Sequence, residues 1–309
     1  MSNPIKVSVL VAAFNAEKYI VQTIKSVQAQ DYSEWELIIV DDGSVDRTAS
    51  LVEHESCLDP RIKLFRQTNQ GAHIARNVAF ENCSGDYLVI LDADDCILPG
   101  KFSLEVRLLD NFPQCGVVYG DTWHCDGDMN RIELESEKYP SNHVDGDVFS
   151  KIICGNLFAV HAAMVRRKCI DEVGLHDRDP GLIADWDLWV RVAEIYTFYY
   201  HKKPVAEYRL HPLMSAKMDP GIKQCTQRRG VAFRIERLKR FALLSKFEKS
   251  MFYVYNGRFA HRFGQWHLAS IWYLEAIKNS LFNWKAYAFF GLMFIDAVIL
   301  KFSREIKPS

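Results

Sequence analysis

The segment Gly85–Asp95 reads GDYLVILDADD. Tyr87 to Leu91 is a short unbroken apolar run, the pattern of a strand buried on both faces of a parallel sheet. Asp92, Asp94 and Asp95 then crowd three carboxylates into four positions at the strand's end. Their mutual repulsion costs stability unless a cation or a helix terminus absorbs the charge. A bound divalent metal is one remedy. The other is structural, with Asp95 capping the next helix and its neighbours solvated in a turn. The tripeptide alone leaves both readings open.

Upstream, the same kind of run recurs at Lys6–Ala13, at Trp35–Val40 (WELIIV) and at Arg61–Phe65 (RIKLF). Helical patterns separate these runs. Ile20, Ile24 and Val27 follow Asn15, which reads as an N-cap, and Ala49, Leu51 and Val52 follow Ser44, which can cap a second helix. Ile74, Ala75, Val78 and Ala79 mark a third helix, Ala72–Glu81, ending near Gly85. Four strands alternating with three helices specify an α/β unit with a mostly parallel sheet and right-handed crossovers. Each strand ends in a polar cluster: Phe14-Asn15, Asp41-Asp42, Asn69-Gln70 and the acidic triplet. Ligands of such sheets lie beyond the carboxyl ends of the strands, so these clusters are expected to converge.

Downstream, the pattern predicts a helix at Lys101–Asn111 and a strand near Val117–Asp121. Trp123–Asp147, rich in Asp, Asn, Gly and Pro, reads as a surface loop. Asn156–Arg166 supplies another strand, Cys169–Val173 a short helix, Trp186–Glu194 a longer one, and Ala206–Leu210 is strand-like. From about Pro220 glycine is sparse and helix formers dense. The chain therefore divides into a sheet domain, residues 1–218, and a helical region, residues 219–309, for acceptor, oligomer or membrane-surface contacts. The apolar stretch Ala286–Leu300 contains Asp296 and falls short of the ~20 residues needed to cross a bilayer. A buried or homo-oligomer-forming helix is the simpler reading. Peripheral membrane contact through Lys285, Lys301, Arg304 and Lys307 stays open.

Composition narrows the class. The 309 residues are 49% hydrophobic and 25% charged, ordinary usage for a folded chain. Lys and Arg number 38 against 39 Asp and Glu, so no overall field draws the chain to nucleic acid. Eight cysteines without a CxxC pair argue against zinc or dithiol chemistry and for reduced, buried thiols. The N-terminus has neither the length nor the cleavage pattern of a secretory signal. A cytoplasmic protein is expected, peripheral at the inner membrane surface if the C-terminal stretch makes lipid contact.

Asp41-Asp42-Gly43-Ser44 also has two readings. It suits a strand-to-helix turn in which Asp bonds its own backbone and Gly supplies conformational freedom. It equally suits a pocket whose carboxylates accept from a ligand's amide donors, such as a uracil ring, and from ribose hydroxyls.

VSVLVAAFNAEKYI (7–20), ELIIVDDGSVDRT (36–48), NQGAHIARN (69–77), GDYLVILDADD (85–95), ADWDLWVR (184–191) and YRLH (208–211) stand in this order along the chain. Over about two thirds of its length they resemble the family 2 glycosyltransferases of GT-A fold. The resemblance implies a Rossmann-like sheet and an inverting transfer from a nucleoside-diphosphate sugar, most often a UDP-sugar. The acceptor would be a hydroxyl of a glycan or lipid-linked molecule, in cell-surface polysaccharide biosynthesis. Mn²⁺ or Mg²⁺ on the diphosphate would stabilise the charge that builds as the glycosidic bond breaks.

The resemblance also implies roles. Asp94 becomes a direct metal ligand, Asp92 a contact of the ribose or of the metal, and Asp95 a cap or a supporting group. His211 completes the metal's ligands or touches the diphosphate, and Arg209 neutralises a phosphate. Asp42 reads the nucleobase with Asp41 beside it, Phe14 stacks on the base, and Ala12 lines the same wall through its backbone. Asn69 and Arg76 fall near the nucleotide, the alternative for Arg76 being a helix-surface ion pair. Asp185 is the base that takes the acceptor's proton. Its rival, Asp187, reads as a structural salt bridge. Ala184 replaces the Glu of the family's Glu-Asp pair, which puts acceptor binding in question more than proton removal.

Two further classes compete. A non-catalytic GT-A binding or scaffold protein is made conceivable by Ala184. A sugar nucleotidyltransferase would want a glycine- and basic-rich loop after the first strand, which Ala12–Tyr19 lacks.

Overall fold

The computed structural model describes residues 6–176, 183–212 and 221–293. The chain forms two compact units, one of residues 1–148 and 156–218, the other of residues 149–155 and 219–309. The short segment Phe149–Gly155, expected within the sheet domain, belongs to the helical unit.

The first unit opens with β1 (Val7–Ala13), α1 (Ile20–Gln28), β2 (Trp35–Asp41), α2 (Thr48–Leu58), β3 (Ile62–Arg66), α3 (Ala72–Glu81) and β4 (Tyr87–Asp92). These strands pair in parallel in the spatial order β3-β2-β1-β4. Val9, Leu10, Val11, Leu37 to Val40 and Leu88 to Leu91 are almost wholly buried, which is why their sequence reads as unbroken apolar runs. Ile20, Ile24 and Val27 share one face of α1 and pack into the same core. Each such side chain contributes about 1.5–3 kcal/mol by leaving water. The strand order reverses between β1 and β4, the position at which α/β sheets open a crevice.

Beyond β4 come β5 (Cys96–Ile97), α4 (Lys101–Asn111), β6 (Cys115–Cys125), β7 (Arg131–Leu134), α5 (Glu135–Lys138), β8 (Ala163–Arg166), α7 (Arg167–Val173), α8 (Ala184–Ala193) and β9 (Thr197–Arg209). The helical turn α6 (Phe149–Ile152) falls between α5 and β8 in the chain. The sheet continues from β4 through β8, β6 and β9 to β5, with β7 beside β6. β8 is antiparallel to both β4 and β6, whereas β9 runs parallel to β6.

Three sequence expectations change here. Trp123–Asp147 is not simply a loop: β6 runs on to Cys125 and pairs with β7 across a turn. Asp126 Oδ1 accepts from the amides of Asp128 and Asn130, so the polar residues build that turn. β9 is 13 residues long rather than the five expected, because its register with β6 slips at three places and breaks the alternation a strand normally shows. Asn15 and Ser44 do not cap helices, since α1 starts at Ile20 and α2 at Thr48. Instead the amide of Asn15 donates to Ser44 Oγ at 2.9 Å and Asn15 Oδ1 accepts from the amide of Val45, tying the loops after β1 and β2 together.

The second unit contains α6 and then α9 (Gly221–Ile235), α10 (Lys239–Leu243), α11 (Lys246–Arg262) and α12 (Trp266–Asn279). Ser245 and Glu248 form a reciprocal capping box at the start of α11. Phe252, Val254, Trp272, Tyr273 and Ala276 fill the core between α11 and α12. Residues 284–293 are helical, and the rest of the apolar stretch Ala286–Leu300 lies outside the described residues. Among the described residues no helix is long and apolar enough to cross a membrane.

Candidate active site

The parallel registers set Ala12 beside Asp92 and Ala13 beside Asp41, so the polar strand ends meet at the reversal point of the sheet. Asp41 is buried, accepting from the Ser44 amide and pairing with Arg66 at 3.3 Å. Asp42 is buried too. One of its oxygens accepts from Gln67 Nε2 and the Gln70 amide, and the other accepts from the Gly71 amide at 2.8 Å. Asp42 thus fastens the loop that leads into α3. Gly43 sits at φ +77°, where a Cβ would stand 2.9 Å from the Asn69 amide nitrogen, so only glycine lets the two loops approach. Asn69 is exposed beside this turn, and Phe14 is half exposed at the end of β1.

Two adjacent residues of α3 reach across the site. Asn77 clamps the backbone of His176, donating to its carbonyl at 2.9 Å and accepting from its amide at 3.0 Å. Arg76 is buried and joins two carboxylates, bonding Asp92 through Nη2 and Asp185 Oδ1 through Nη1 at 2.9 Å. Burial opposes the guanidinium's charge, but Asp185 and Asp92 outweigh that and hold it firmly protonated. Asp185 lies in the first turn of α8 with its side chain 23% exposed. Burial pushes its carboxyl up, and Arg76 pulls it back. Asp187 forms an ion pair with Arg191 at 3.0 Å on the same helix.

The acidic triplet divides its work. Asp94 Oδ2 lies 2.8 Å from His211 Nε2. Burial and then the charge of Asp92 push Asp94 up, while His211 opposes the rise. Asp95 is not a helix cap, because α4 begins only at Lys101 and the Asp95 carboxylate is buried. Its Oδ1 accepts from the Arg209 amide at 2.7 Å, and its Oδ2 faces His161 Nδ1 at 3.2 Å without hydrogen-bond alignment. Burial, then Asp94 and Asp92, drive Asp95 well above the ordinary carboxylate range, and burial pushes His161 down to about 4. Arg209 points inward: its guanidinium donates to the carbonyls of Asp94 and Gly127 and to Gln22 Oε1, and lies 4.6 Å from the Tyr19 ring centroid. All of these acceptors belong to the protein, so the guanidinium is engaged rather than free for a phosphate.

Two donor sets suit a divalent cation. Asp94 and His211 form one. The other is Asp92, Asp95 and His161, whose ligand atoms lie within 4.8 Å of one another. Asp95 Oδ2, both His161 ring nitrogens and His211 Nδ1 are buried without hydrogen-bond partners, a cost that a cation or a water relieves. Mixed carboxylate and imidazole ligands suit Mn²⁺, and the carboxylates suit Mg²⁺. His161 and Tyr19 carried no local signal in the sequence. His161 stands alone in a short 3-10 turn, and Tyr19 reads as one more apolar residue before α1.

An open sheet that reverses beside acidic strand ends, with a helical region following it in the chain, is the GT-A fold. The chain belongs to glycosyl transferase family 2, whose model matches residues 8–174. A Haemophilus influenzae protein described as an uncharacterized glycosyltransferase is 34% identical over 166 residues, covering 53% of this chain and 63% of that protein. A Nostoc sp. protein of the same description is 26% identical across 92% of this chain and 90% of its own length. Against a Rickettsia conorii relative the match spans only 35% of the relative's length.

Solved structures share the fold. TarS residues 1–349 from S. aureus, in complex with UDP-GlcNAc, aligns at TM-score 0.60 and 18% identity over 89% of both chains. The mannosyltransferase PcManGT from Pyrobaculum calidifontis, in complex with GDP-Man and Mn²⁺, aligns at 0.58 and 19%, covering 96% of this chain and 87% of that one.

Proposed function

We propose that the chain is an inverting glycosyltransferase. It moves a hexosyl group from a nucleoside-diphosphate sugar, UDP-linked in the first instance, to a hydroxyl of a glycan or lipid-linked acceptor in surface polysaccharide assembly. The observation that carries this reading is the bridge of Arg76 between Asp92 and Asp185. It ties the carboxylate at the end of β4, expected at the nucleotide, to the partly buried carboxylate at the start of α8, expected at the acceptor, through one guanidinium. Structural neighbours holding UDP-GlcNAc and GDP-Man with Mn²⁺ support it.

In this reading Asp185 takes the proton of the acceptor hydroxyl as the new bond forms, since an alcohol is a poor nucleophile. Burial raises the affinity of that carboxylate for a proton, and Arg76 opposes the rise. Phe14 offers a ring face to the base. Asp42, with Asp41 beside it, shapes the base wall by fixing the Gln67–Gly71 loop and exposing Asn69. Ala12 lines that wall through its backbone. Asp94 and His211, with Asp92, are the residues that would hold Mn²⁺ or Mg²⁺. The cation, when bound, neutralises the diphosphate leaving group. Arg209 acts by holding the Asp94 carbonyl and its own amide against Asp95.

Calorimetric titration of the full chain with a panel of nucleoside diphosphates, in Mn²⁺ and in EDTA, tests this. Metal-dependent binding of one nucleotide is expected. No binding by a folded protein overturns the transferase reading in favour of a non-catalytic relative, the class that Ala184 makes conceivable.

A further inference from the structure

The near-neutral total conceals a strong division of charge. Residues 219–309 hold sixteen Lys and Arg against six Asp and Glu, a net charge of +10, while the whole chain stands at −1. The basic excess belongs to the helical unit, and Arg229, Arg237, Lys239, Lys246 and Arg262 are exposed on it. A charge asymmetry of this size marks a surface for an anionic partner.

A second observation comes from the turn between α12 and the helix of residues 284–293. Leu281, Phe282 and Trp284 are 69%, 95% and 70% exposed. Asn283 between them is 2% exposed and donates to Ser250 Oγ at 2.9 Å, and Ser250 in turn donates to the Ala276 carbonyl. Beneath the turn, Ala286 packs against Val254 and Ala276. The backbone is pinned, and three large apolar side chains project from it. Exposing aromatic rings to water on an anchored turn is costly, so the turn is built to be covered.

We propose that the helical unit docks on an anionic lipid surface, with Leu281, Phe282 and Trp284 entering the boundary between headgroups and acyl chains while the basic side chains meet the phosphates. Aromatic rings favour that boundary, and basic side chains together with an apolar wedge on one unit supply the two signals that stable peripheral binding needs. The charge argues against a second copy as the cover, since residues 219–309 of each copy carry a net +10 and two such segments repel. A nucleic acid or a polyanionic glycan would satisfy the charge but would leave Phe282 and Trp284 in water.

The test is flotation of the full chain with phosphatidylcholine vesicles, pure or with about 30% phosphatidylglycerol. Binding to the anionic vesicles is expected, weaker by about tenfold or more to the neutral ones, and weakened to a similar degree by F282S/W284S with an unchanged thermal melt. Arg237→Glu with Lys239→Glu tests the charge alone and is expected to lower binding to the anionic vesicles only. The proposal falls if the anionic vesicles bind no protein, or if F282S/W284S binds them as the parent does, which would point to a soluble polyanion. It also falls if the double substitution turns a dimer into a monomer in sedimentation. No nucleotide enters the assay, so its failure leaves the transferase reading untouched.

Discussion

Arg76 Nη1 and Asp185 Oδ1 lie 2.9 Å apart although 109 residues separate them in the chain. The same guanidinium bonds Asp92, so one buried cation holds a carboxylate from the end of β4 and one from the start of α8. Removing either carboxylate leaves Arg76 paired. Removing Arg76 leaves two partly buried carboxylates without their shared cation, the costlier change.

Asp185→Asn keeps the hydrogen-bonding shape of the side chain while removing its ability to take a proton. Donor binding measured by calorimetry is expected to stay near the parent's, with transfer reduced by roughly 10²–10⁴-fold. Near-parent turnover would assign proton removal to another group.

Arg76→Lys retains one charge but cannot hold both carboxylates with a planar fork. Transfer is expected to fall by about 10²-fold through lost positioning. Arg76 pulls the Asp185 carboxyl down, so weakening that pair raises it and moves the acid limb of the pH–rate profile to higher pH. An acid limb that stays in place would separate Asp185 from the base.

Asp94→Ala removes the partner of His211 and one of the carboxylates expected at the diphosphate. Mn²⁺-dependent nucleotide binding is expected to disappear while EDTA-insensitive binding, if present in the parent, persists. His211→Ala is expected to weaken the same metal dependence by a smaller factor. Unchanged Mn²⁺ dependence in Asp94→Ala would move the cation to Asp92, Asp95 and His161.

Glu135 offers a test outside the site. Burial pushes its carboxyl from 4.5 up to about 7, so its protonated form is the one the fold prefers. The stability it contributes is fully present below pH 4.5 and is lost as pH rises through 7. Glu135→Gln, uncharged at every pH, is expected to match the parent near pH 4.5 and to exceed it at pH 8 by roughly 2–3 kcal/mol. Thermal melts of both proteins across that range check it, and parallel curves would show that Glu135 ionises without penalty.

The legible parts of the fold share a physical cause. β1, β2 and β4 are buried on both faces, and that burial demands an unbroken apolar run whatever the neighbours are. β9 escaped because its polar edge residues and slipped register leave neither a run nor an alternation. Asn15 and Ser44 misled because local capping preference was the available signal, whereas their hydrogen bond joins loops 29 residues apart. At the site, the crowding of Asp92 and Asp94 was visible by type and spacing, whereas Asp185 stood out only through the family resemblance. The engagement of Asp42 and Arg209 with the protein itself was not, since nothing in a carboxylate or a guanidinium says which partner it meets.

By itself, the amino-acid sequence determined the alternating α/β order, the acidic ends of the strands and the helical character of the last third, because these follow from burial and from local propensity. The tertiary structure alone decided which carboxylate meets which cation: Arg76 with Asp92 and Asp185, His211 with Asp94, and His161 with Asp95. It also decided that Phe282 and Trp284 face water rather than the core. Those outcomes depend on contacts between segments far apart in the chain, which no local pattern encodes.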